Sequence, residues 1–315
     1  MTTRLREERG QAVVMTVIFL VVLIGAAAIT TDVGAWYRQQ RQAQATADAA
    51  ALAGAEALPA DPAQAQTLAA QYAIDNGGGA NGIAISSDFE NNDTITVNVQ
   101  KTAPSFFAKV FSIDHATVTA SAAARAGVPN QVFGMGPVAV SQDACDLEGC
   151  AGCPCFDQET TLCLGQACTG LPSGAFGMVD LNGGANGDPE IAGWVEDGYQ
   201  GYLGLGDYQS DPGAKFNAGQ VESAFDDRVG TELLFPVYDT TGGGGAGGFY
   251  HVIGWVGFHL DCNGMETNGT CDSSGNRGSS GALTGYFTRV IWNGIQGTTD
   301  NNLPDFGVYS VELVH

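Results

Sequence analysis

The sequence predicts an α+β protein: one long N-terminal helix, a small antiparallel β-sheet with helices, and a Gly-rich, mostly-β domain with disulfides. Three observations support this fold class. Residues 10–31 contain no charge and are apolar almost throughout. Short runs of alternating apolar residues begin near Ile83. The 315-residue chain also contains 45 Gly and eight Cys, which favour many turns and an oxidising compartment.

The charge balance limits the classes of function. The chain has 34 Asp+Glu against 12 Lys+Arg, which gives a formal net charge of −22. Nucleic-acid binding requires clustered Lys and Arg to neutralise phosphates, so we expect no nucleic-acid partner. Charged residues make up only 15% of the chain and hydrophobic residues 44%, so we expect a folded protein rather than a disordered one.

The first element is an uncharged apolar segment of 22 residues, Gly10 to Thr31. A helix of that length covers about 33 Å, enough to cross the hydrocarbon core of a bilayer. Arg4, Arg6 and Arg9 precede it, and Asp32 follows it directly. The positive-inside rule therefore predicts a single-pass protein of the inner (cytoplasmic) membrane, with a cytoplasmic N-terminus and an extracytoplasmic C-terminal part.

The helical pattern continues beyond the apolar segment. Trp36 and Tyr37 fall where an interfacial aromatic belt is expected. Residues 38–58 are rich in Ala, Gln and Leu, and the first Pro is Pro59. We therefore expect one helix from about Gln11 to Leu58, with its first half in lipid. The alternative is a cleaved secretory signal, because residues 26–28 offer small side chains to a peptidase.

Small residues dominate the stretch from Ala43 to Gly54, with Asp48 as a polar partner on it. Such a face allows a second helix to approach closely. Alternatively, the Ala residues simply favour helix formation.

Several features of this region occur in a fixed order. They are Arg-Gly-Gln-Ala at 9–12, the apolar segment, Asp-Val-Gly at 32–34, and the Ala-rich stretch at 47–55. Residues 7–58 thereby resemble the N-terminal module of the TadE/TadG-like proteins, which are associated with assembly of Flp-type (tight adherence) pili in bacteria. Weaker similarity extends through residues 198–207 and 228–239. The resemblance implies a pilin-like membrane component, with the lipid bilayer and pilin-like or Tad secretion-system proteins as partners.

The resemblance also raises the question of processing. Pilin precursors are typically cut after a Gly, with Glu at the fifth position of the mature chain. Gly10 is present, but the fifth residue after it is Met15. We therefore expect no cleavage at Gly10.

The next segment alternates between helix and strand patterns. We expect helices at 63–75 and 105–111, strands at 83–85, 94–99 and 116–126, and a turn at 91–93. The helix at 105–111 is expected to pack through its apolar side chains, Phe106, Phe107, Val110 and Phe111. A long helix followed by a small antiparallel sheet is the plan of pilin-like proteins, although a fold alone does not establish a function.

From about Gln131 the chain becomes Gly-rich and short apolar runs alternate with turns. We expect strands at 176–181, 233–238, 249–260, 283–292 and 308–314, which favour an all-β sandwich or barrel. The Gly run at 242–248 is expected to form a hairpin tip. The predicted domains are 1–31 (cytoplasmic stub and transmembrane helix), 32–128 (pilin-like helix and small sheet) and 129–315 (extracytoplasmic β-rich domain).

The eight cysteines predict four disulfides in an extracytoplasmic compartment. Cys262 and Cys271 are expected to pair locally across the turn at 263–264. The other six permit 15 connectivities, between which the sequence does not choose; they are Cys145, Cys150, Cys153, Cys155, Cys163 and Cys168. The alternatives are a zinc site from Cys150, Cys153, Cys163 and Cys168, and a redox site at Cys150 and Cys153.

Other candidate ligands are sparse. Asp180, Asn182, Asn186 and Asp188 could bind calcium, although the spacing is not that of an EF-hand. His251 and His259 stand eight residues apart on one expected strand, about 26 Å, too far to share a metal. We expect no catalytic residues, cofactor or resident metal.

The sequence therefore predicts a non-enzymatic, membrane-anchored, pilin-like component with an external assembly or adhesion domain. A membrane-anchored extracytoplasmic enzyme, such as a hydrolase, is the main alternative, and a calcium- or sugar-binding module is another. A pocket that joins a carboxylate to His251 or His259 would favour the enzyme.

Overall fold

A computed structural model describes residues 8–88, 90–143, 155–163, 176–184, 187–211, 215–216, 218–243, 248–267, 270–272, 281–296 and 303–314. The chain divides into two compact units, Met1–Ala126 with Val311–His315, and Gly127–Ser310. Each unit has a hydrophobic core of its own.

In chain order the elements are α1 (Glu8–Ala55), α2 (Pro62–Asp75), β1 (Gly79–Ser86), β2 (Thr94–Pro104), the 3₁₀ turn η1 (Ala108–Phe111), β3 (His115–Gly127), β4 (Pro129–Phe133), β5 (Val138–Ser141), β6 (Glu159–Cys163), β7 (Phe176–Val179), α3 (Asp188–Glu196), β8 (Tyr202–Gly204), β9 (Gly206–Asp211), α4 (Gly219–Asp227), β10 (Glu232–Gly242), β11 (Phe249–Cys262), β12 (Met265–Thr267), β13 (Thr270–Asp272), β14 (Ala282–Thr288), β15 (Val290–Ile291), β16 (Gly294–Gln296) and β17 (Val308–Val314).

The two helices of the first unit follow from local sequence signals. Helix α1 is continuous over 48 residues, because no Pro interrupts it before Pro59. Helix α2 begins where the Asp61 side chain accepts the N–H of Gln64 at 2.9 Å, and Pro62 occupies its first turn. It ends at Asp75, with Asn76 as the capping residue and Gly77 after it at φ +74°. Both helices were predicted from the sequence, the first to within a few residues at each end.

A small antiparallel sheet accompanies these helices. β2 pairs with β1 on one side and with β3 on the other, so that Val97 lies opposite both Ile83 and Ala122. The end of β17 extends the sheet beyond β3, and there Arg125 and Glu312 form an ion pair with an N–O distance of 2.9 Å. The sequence predicts the final strand as part of the β-rich domain, whereas Val311–His315 belongs to the first unit.

Small side chains build the core of the first unit. One face of α1 contributes Ala43, Ala47, Ala50 and Ala51, all fully buried, and α2 contributes alanines of its own. At Gly54 an added Cβ would meet Ile95 Cδ1 at 2.7 Å and both the Ala65 carbonyl oxygen and Ala69 Cβ at 3.0 Å. Only a residue without a side chain permits this approach of α1 to α2 and β2.

The second unit is built around a closed β-barrel. The ring order is β10-β5-β7-β9-β11, and β11 returns to pair with β10. Only the β5–β10 pair in this ring is parallel. β14 pairs with the part of β11 that lies beyond β9, and β6 pairs with the other edge of β14. Two small sheets are separate from this one, β16-β4-β8 and β12-β13. The sequence predicted a barrel or sandwich, and the Gly run at 242–248 does join an antiparallel pair.

Large aromatic side chains fill the core of the second unit. Trp255, Phe225, Phe235 and Phe258 are at most 1% exposed. Helices α3 and α4 pack on this core through residues such as Ile191, Trp194 and Phe225. These two helices were not predicted, because nine residues each give too little periodicity to stand out between Gly-rich turns.

One prediction about packing is wrong. The sequence places Phe106, Phe107, Val110 and Phe111 in a packed helix at 105–111, but only the short turn η1 is helical and these side chains are 60%, 47%, 82% and 80% exposed. They lie at the connection between β2 and β3, past the end of the sheet. The buried residues of β2 end at Ala103, so the described core of this unit does not extend far enough to cover these side chains.

Candidate functional site

Helix α1 presents an apolar surface over about half its length. Every residue from Gln11 to Ala27 is exposed, including Phe19, Leu20 and Leu23. The helix is long and apolar enough to cross a membrane, with a mean hydropathy of 2.9 over its most apolar 18 residues. A signal sequence near an N-terminus has the same properties. The prediction of a long apolar N-terminal helix is confirmed, while its insertion in a membrane stays a prediction.

Asp32 stands at the point where α1 leaves this apolar segment. Its side chain is 4% exposed, because the connection between β2 and β3 folds over it. One carboxylate oxygen accepts the backbone N–H of Phe106 at 2.7 Å, and the other accepts those of Phe107 at 3.0 Å and Ala108 at 2.5 Å. Three consecutive N–H donors thus bind one carboxylate, which fixes the sheet connection to the helix.

These contacts also set the protonation of Asp32. Burial raises the pKa of its carboxyl group, but the N–H groups of Phe106, Ala108 and Phe107 lower the pKa by more, with help from nearby Lys109. The net pKa of Asp32 lies below its ordinary value. The carboxylate is therefore charged at neutral pH, which is the form that accepts three N–H groups.

Strand β2 runs along α1 from its C-terminal end towards the apolar segment. Near the start of β2, Ile95 lies against Gly54. Further along, the Lys101 ammonium donates to the Thr46 hydroxyl at 3.0 Å, and burial lowers the pKa of Lys101. At the end of β2, the Phe106 N–H reaches Asp32. The β2–β3 connection is consequently the end of the sheet nearest to the apolar segment.

Strand β3 follows the same path in reverse. The side-chain amide of Gln40 donates to the Thr119 carbonyl oxygen at 2.7 Å, and that of Gln44 donates to the Ser121 carbonyl oxygen at 3.2 Å. These bonds hold the sheet alongside α1 between residues 32 and 54.

The small-residue face of α1 packs against the same unit. Residues 43, 47, 50, 51 and 54 lie against α2 and β2, so the close approach predicted for a second helix occurs within the chain. Asp48 accepts the side-chain amide of Gln44 at 2.7 Å, a partner on its own helix.

The comparisons with known proteins concern this same region. A family model described as "Putative Flp pilus-assembly TadE/G-like" matches residues 10–57. The match covers the apolar segment, Asp32 and the Ala-rich stretch, and it confirms the resemblance that the sequence analysis stated. No curated protein and no solved structure matches the chain.

The cysteines are described in part. Cys155 and Cys262 are buried, and neither is a free thiol. Cys163 lies on β6 and Cys271 on β13. Cys145, Cys150, Cys153 and Cys168 lie outside the described residues. Cys155 and Cys262 are both disulfide-bonded, but no pair joins two cysteines whose side chains are described, so the pairing of the four predicted disulfides stays a prediction, as do the zinc and redox alternatives for the other cysteines.

The calcium candidates are only partly brought together. One Asp180 carboxylate oxygen accepts the N–H groups of Asn182 and Gly183, as in an Asx turn. Asn182 donates its amide to Glu190 at 2.7 Å. Asp188 is exposed at the start of α3, and Asn186 lies outside the described residues. Among the described residues no three His, Cys, Asp or Glu side chains cluster for a metal.

The two histidines of β11 have separate partners. His251 Nδ1 lies 2.7 Å from an Asp207 carboxylate oxygen, a contact that raises the pKa of His251. His259 Nδ1 lies 3.1 Å from Glu232 and stacks on Tyr286. Both are cross-strand pairs in the sheet, since His251 is opposite Asp207 and His259 opposite Glu232.

The second unit also has a cleft of about 310 Å³. Its lining combines aromatic and polar side chains, among them Phe133, Trp194, Trp292, Asp197, Arg228 and Asn293. Neither histidine lines it. Arg228 donates to the Glu196 and Glu232 carbonyl oxygens at 2.6 Å, and burial lowers its pKa. The guanidinium is thus held by backbone acceptors.

The role of Asp32 was not predicted from the sequence, in which it is only the first charge after the apolar segment. The sequence does contain two relevant features, a lone Asp directly after 22 uncharged residues and an apolar run that begins at Phe106. Nothing in the sequence joined the two, because 74 residues separate Asp32 from Phe106.

Proposed function

We propose that this protein is a single-pass, membrane-anchored, pilin-like component of a bacterial Flp/Tad pilus-assembly or secretion system. Its β-rich part is extracytoplasmic, disulfide-stapled and non-catalytic, and it serves assembly or adhesion. The match of the TadE/G-like family model to residues 10–57 carries the proposal. That stretch contains the apolar half of α1 and the remainder of α1, residues 32–55, which we call the stalk.

The physical properties of α1 support the anchoring step. Exposed Val, Ile, Leu and Phe side chains on all sides of a helix are costly in water and favourable in lipid. Three Arg residues before the segment and none within it favour a cytoplasmic N-terminus. The acidic remainder of the chain, which carries nearly all the Asp and Glu, then lies outside.

Topology reporters test the anchor. Alkaline phosphatase fused after residue 315 is expected to be active, since it folds only outside the cytoplasm, and a fluorescent protein that folds only in the cytoplasm is expected to stay dark at the same place. Deleting residues 1–31 is expected to move the chain out of the membrane fraction. An intact N-terminus, read by mass spectrometry on the membrane-bound protein, separates an anchor from a cleaved signal. An active cytoplasmic reporter contradicts the proposal.

A gene deletion tests the role in pili. Cells without this protein are expected to lose surface Flp pili and tight adherence, and the full chain is expected to restore both. A chain in which an unrelated transmembrane helix replaces residues 10–31 separates anchoring from specific packing of that segment. An Asn91→Ala variant, altered at an exposed turn, is the matched control. Unchanged piliation after deletion contradicts the role.

A sugar-binding function for the cleft is a second candidate, favoured by its aromatic and polar lining. Aromatic faces bind the apolar faces of sugars, and Asp197 and Asn293 offer hydrogen-bonding groups. Glycan-array binding by the full chain in detergent, lost in Trp292→Ala and retained in Tyr72→Ala, is the expected result. Equal binding by both variants contradicts it.

A further inference from the structure

We propose that the connection between β2 and β3, residues 106–113, is a second membrane contact that inserts into the outer interface of the bilayer beside α1. This inference rests on the proposed anchoring of α1. We call residues 106–113 the apolar tip. Its lipid-facing side chains are Phe106, Phe107, Val110, Phe111 and Ile113.

The composition of the apolar tip is unusual for a surface connection. Its five large apolar side chains are between 46% and 82% exposed, and Lys109 is its only charge. Contiguous apolar surface of this kind marks a contact with a membrane or another protein. The chain as a whole carries −22, so the tip differs in chemistry from the rest of the protein.

The position of the apolar tip selects lipid as its occupant. Asp32 binds the N–H groups of residues 106, 107 and 108, and Asp32 follows directly after the uncharged segment 10–31. If that segment fills the hydrocarbon core, Asp32 lies at the outer boundary, and so does the backbone that it binds. On the N-terminal side of Asp32, α1 is exposed at every position from Gln11 to Ala27.

The exposure of α1 changes in the turn that precedes Asp32. From Gln11 onward the helix is fully exposed until Ala28, which is partly buried, and Asp32 and Ala35 are buried. These three positions, spaced four and three residues apart, lie on one helix face. Ala28 lies about one turn, or about 6 Å, on the lipid side of Asp32, and we place the tip along this stretch of α1. This depth is within the 5–10 Å at which interfacial segments bury apolar side chains.

The Asp32 carboxylate explains how such a tip tolerates the interface. A backbone near lipid needs its N–H groups bonded, because unsatisfied groups are costly there. Asp32 accepts three of them, and the Val110 and Ser112 N–H groups bond to carbonyl oxygens within the tip. The tip thus presents apolar side chains while these five N–H groups are hydrogen-bonded within the protein.

Photo-crosslinking in the native membrane tests the inference. Benzoylphenylalanine replaces one residue at a time in the full chain: Phe111 in the tip, Val17 in the apolar segment, or Tyr72 on α2. Tyr72 is an exposed aromatic control, on a helix that packs against the far end of the α1 stalk. Cells are grown with an alkyne-bearing fatty acid, so that a lipid adduct becomes detectable after irradiation.

We expect lipid adducts at positions 17 and 111, and at most background at position 72. Adducts at 17 with only background at 111 overturn the inference while leaving the anchor intact. Adducts between position 111 and a protein also overturn it, because another chain then covers the tip. Absence of adducts at 17 overturns the anchor and the tip contact together. A repeat with the reporter at Val110, 82% exposed, guards against a local effect of the substitution.

Discussion

The two units of this protein build their cores in opposite ways. In the first, Ala residues of α1, α2 and β3 surround a few larger side chains such as Ile95 and Val97. In the second, Trp255, Phe235 and Phe258 fill a closed barrel. Small side chains let backbones approach closely, whereas large ones fill a wide interior. The first unit is therefore expected to be sensitive to added atoms, and the second to removed atoms.

The largest expected effect is a truncation in the second unit. Phe258 is fully buried, and its ring contacts those of Phe235 and Phe287 at centroid distances of 5.9 and 5.6 Å. Phe258→Ala is expected to lower the free energy of unfolding by about 3–5 kcal/mol, because a cavity replaces the ring. Urea unfolding in detergent, followed by Trp fluorescence, measures it. Phe249→Ala on the same strand, 39% exposed, is the control and is expected to cost much less.

The next effect is the cost of adding an atom to the small-residue core of the first unit. Gly54→Ala places a Cβ against Ile95, Ala65 and Ala69, and overpacking of this kind costs about 1–3 kcal/mol. Gly34→Ala on the same helix has no atom within 4 Å of the new Cβ, so it is expected to stabilise α1 by about 0.5–1 kcal/mol. Thermal unfolding by circular dichroism measures both. A Gly54→Ala variant as stable as Gly34→Ala would contradict the sensitivity of the first unit to added atoms.

A smaller, local effect is expected at Asp32. Asp32→Asn removes the charge that binds three N–H groups, so residues 106–108 are expected to exchange their amide hydrogens faster at neutral pH. Hydrogen-exchange mass spectrometry on the full chain measures this. Asp61→Asn, which alters the cap of α2, is the control and leaves the apolar tip unchanged. If residues 106–108 exchange their amide hydrogens equally fast in Asp32→Asn and in the unaltered protein, the Asp32 charge does not hold the apolar tip.

The same contact predicts a pH dependence. The folded-state pKa of Asp32 is below its ordinary value, so this contribution to stability is fully present above the ordinary value and is lost as the pH falls through the lowered pKa. The protection of the apolar tip against amide hydrogen exchange is therefore expected to be constant near neutral pH and to fall only in acid. Because the Asn variant does not titrate at position 32, its tip is expected to show no such fall.

The smallest effect concerns an exposed pair on the barrel. The bond to Asp207 raises the pKa of His251, so the pair stabilises the fold below the ordinary His pKa and loses this effect as the pH rises through the raised value. Asp207→Asn is expected to return the His251 pKa towards its ordinary value, as measured by NMR titration, with little change in stability. Glu232→Gln, which alters a carboxylate away from His251, serves as the control. An unchanged His251 pKa would contradict the assignment.

Local sequence patterns were sufficient for much of the first unit. The apolar segment, the Ala-rich continuation, the Pro59 break and the period-two runs around residues 83 and 97 predicted α1, α2 and the sheet. In the second unit they predicted the longer strands but missed α3, α4 and short strands such as β5 and β9. Short elements between glycines have little periodicity, and tertiary packing decides their conformation.

The candidate membrane-facing site was only half predictable. The segment at 10–31 was clear from composition, whereas Phe106, Phe107, Val110 and Phe111 were assigned to a core. Apolar character alone does not distinguish a buried side chain from one that faces lipid or a partner. That distinction needed the position of the β2–β3 connection against Asp32.

The sequence by itself determined that a long apolar helix stands near the start of the chain, that an acidic, Gly-rich, β-forming remainder follows, and that residues 7–58 resemble TadE/TadG-like proteins. These properties depend on composition and on residues close together in the chain. Only the tertiary structure decided that α2 and β2 cover the alanines of α1, that β11 closes a barrel, and that Asp32 binds the apolar tip. Such contacts join residues far apart in sequence, and their free energy exists only once the chain has folded.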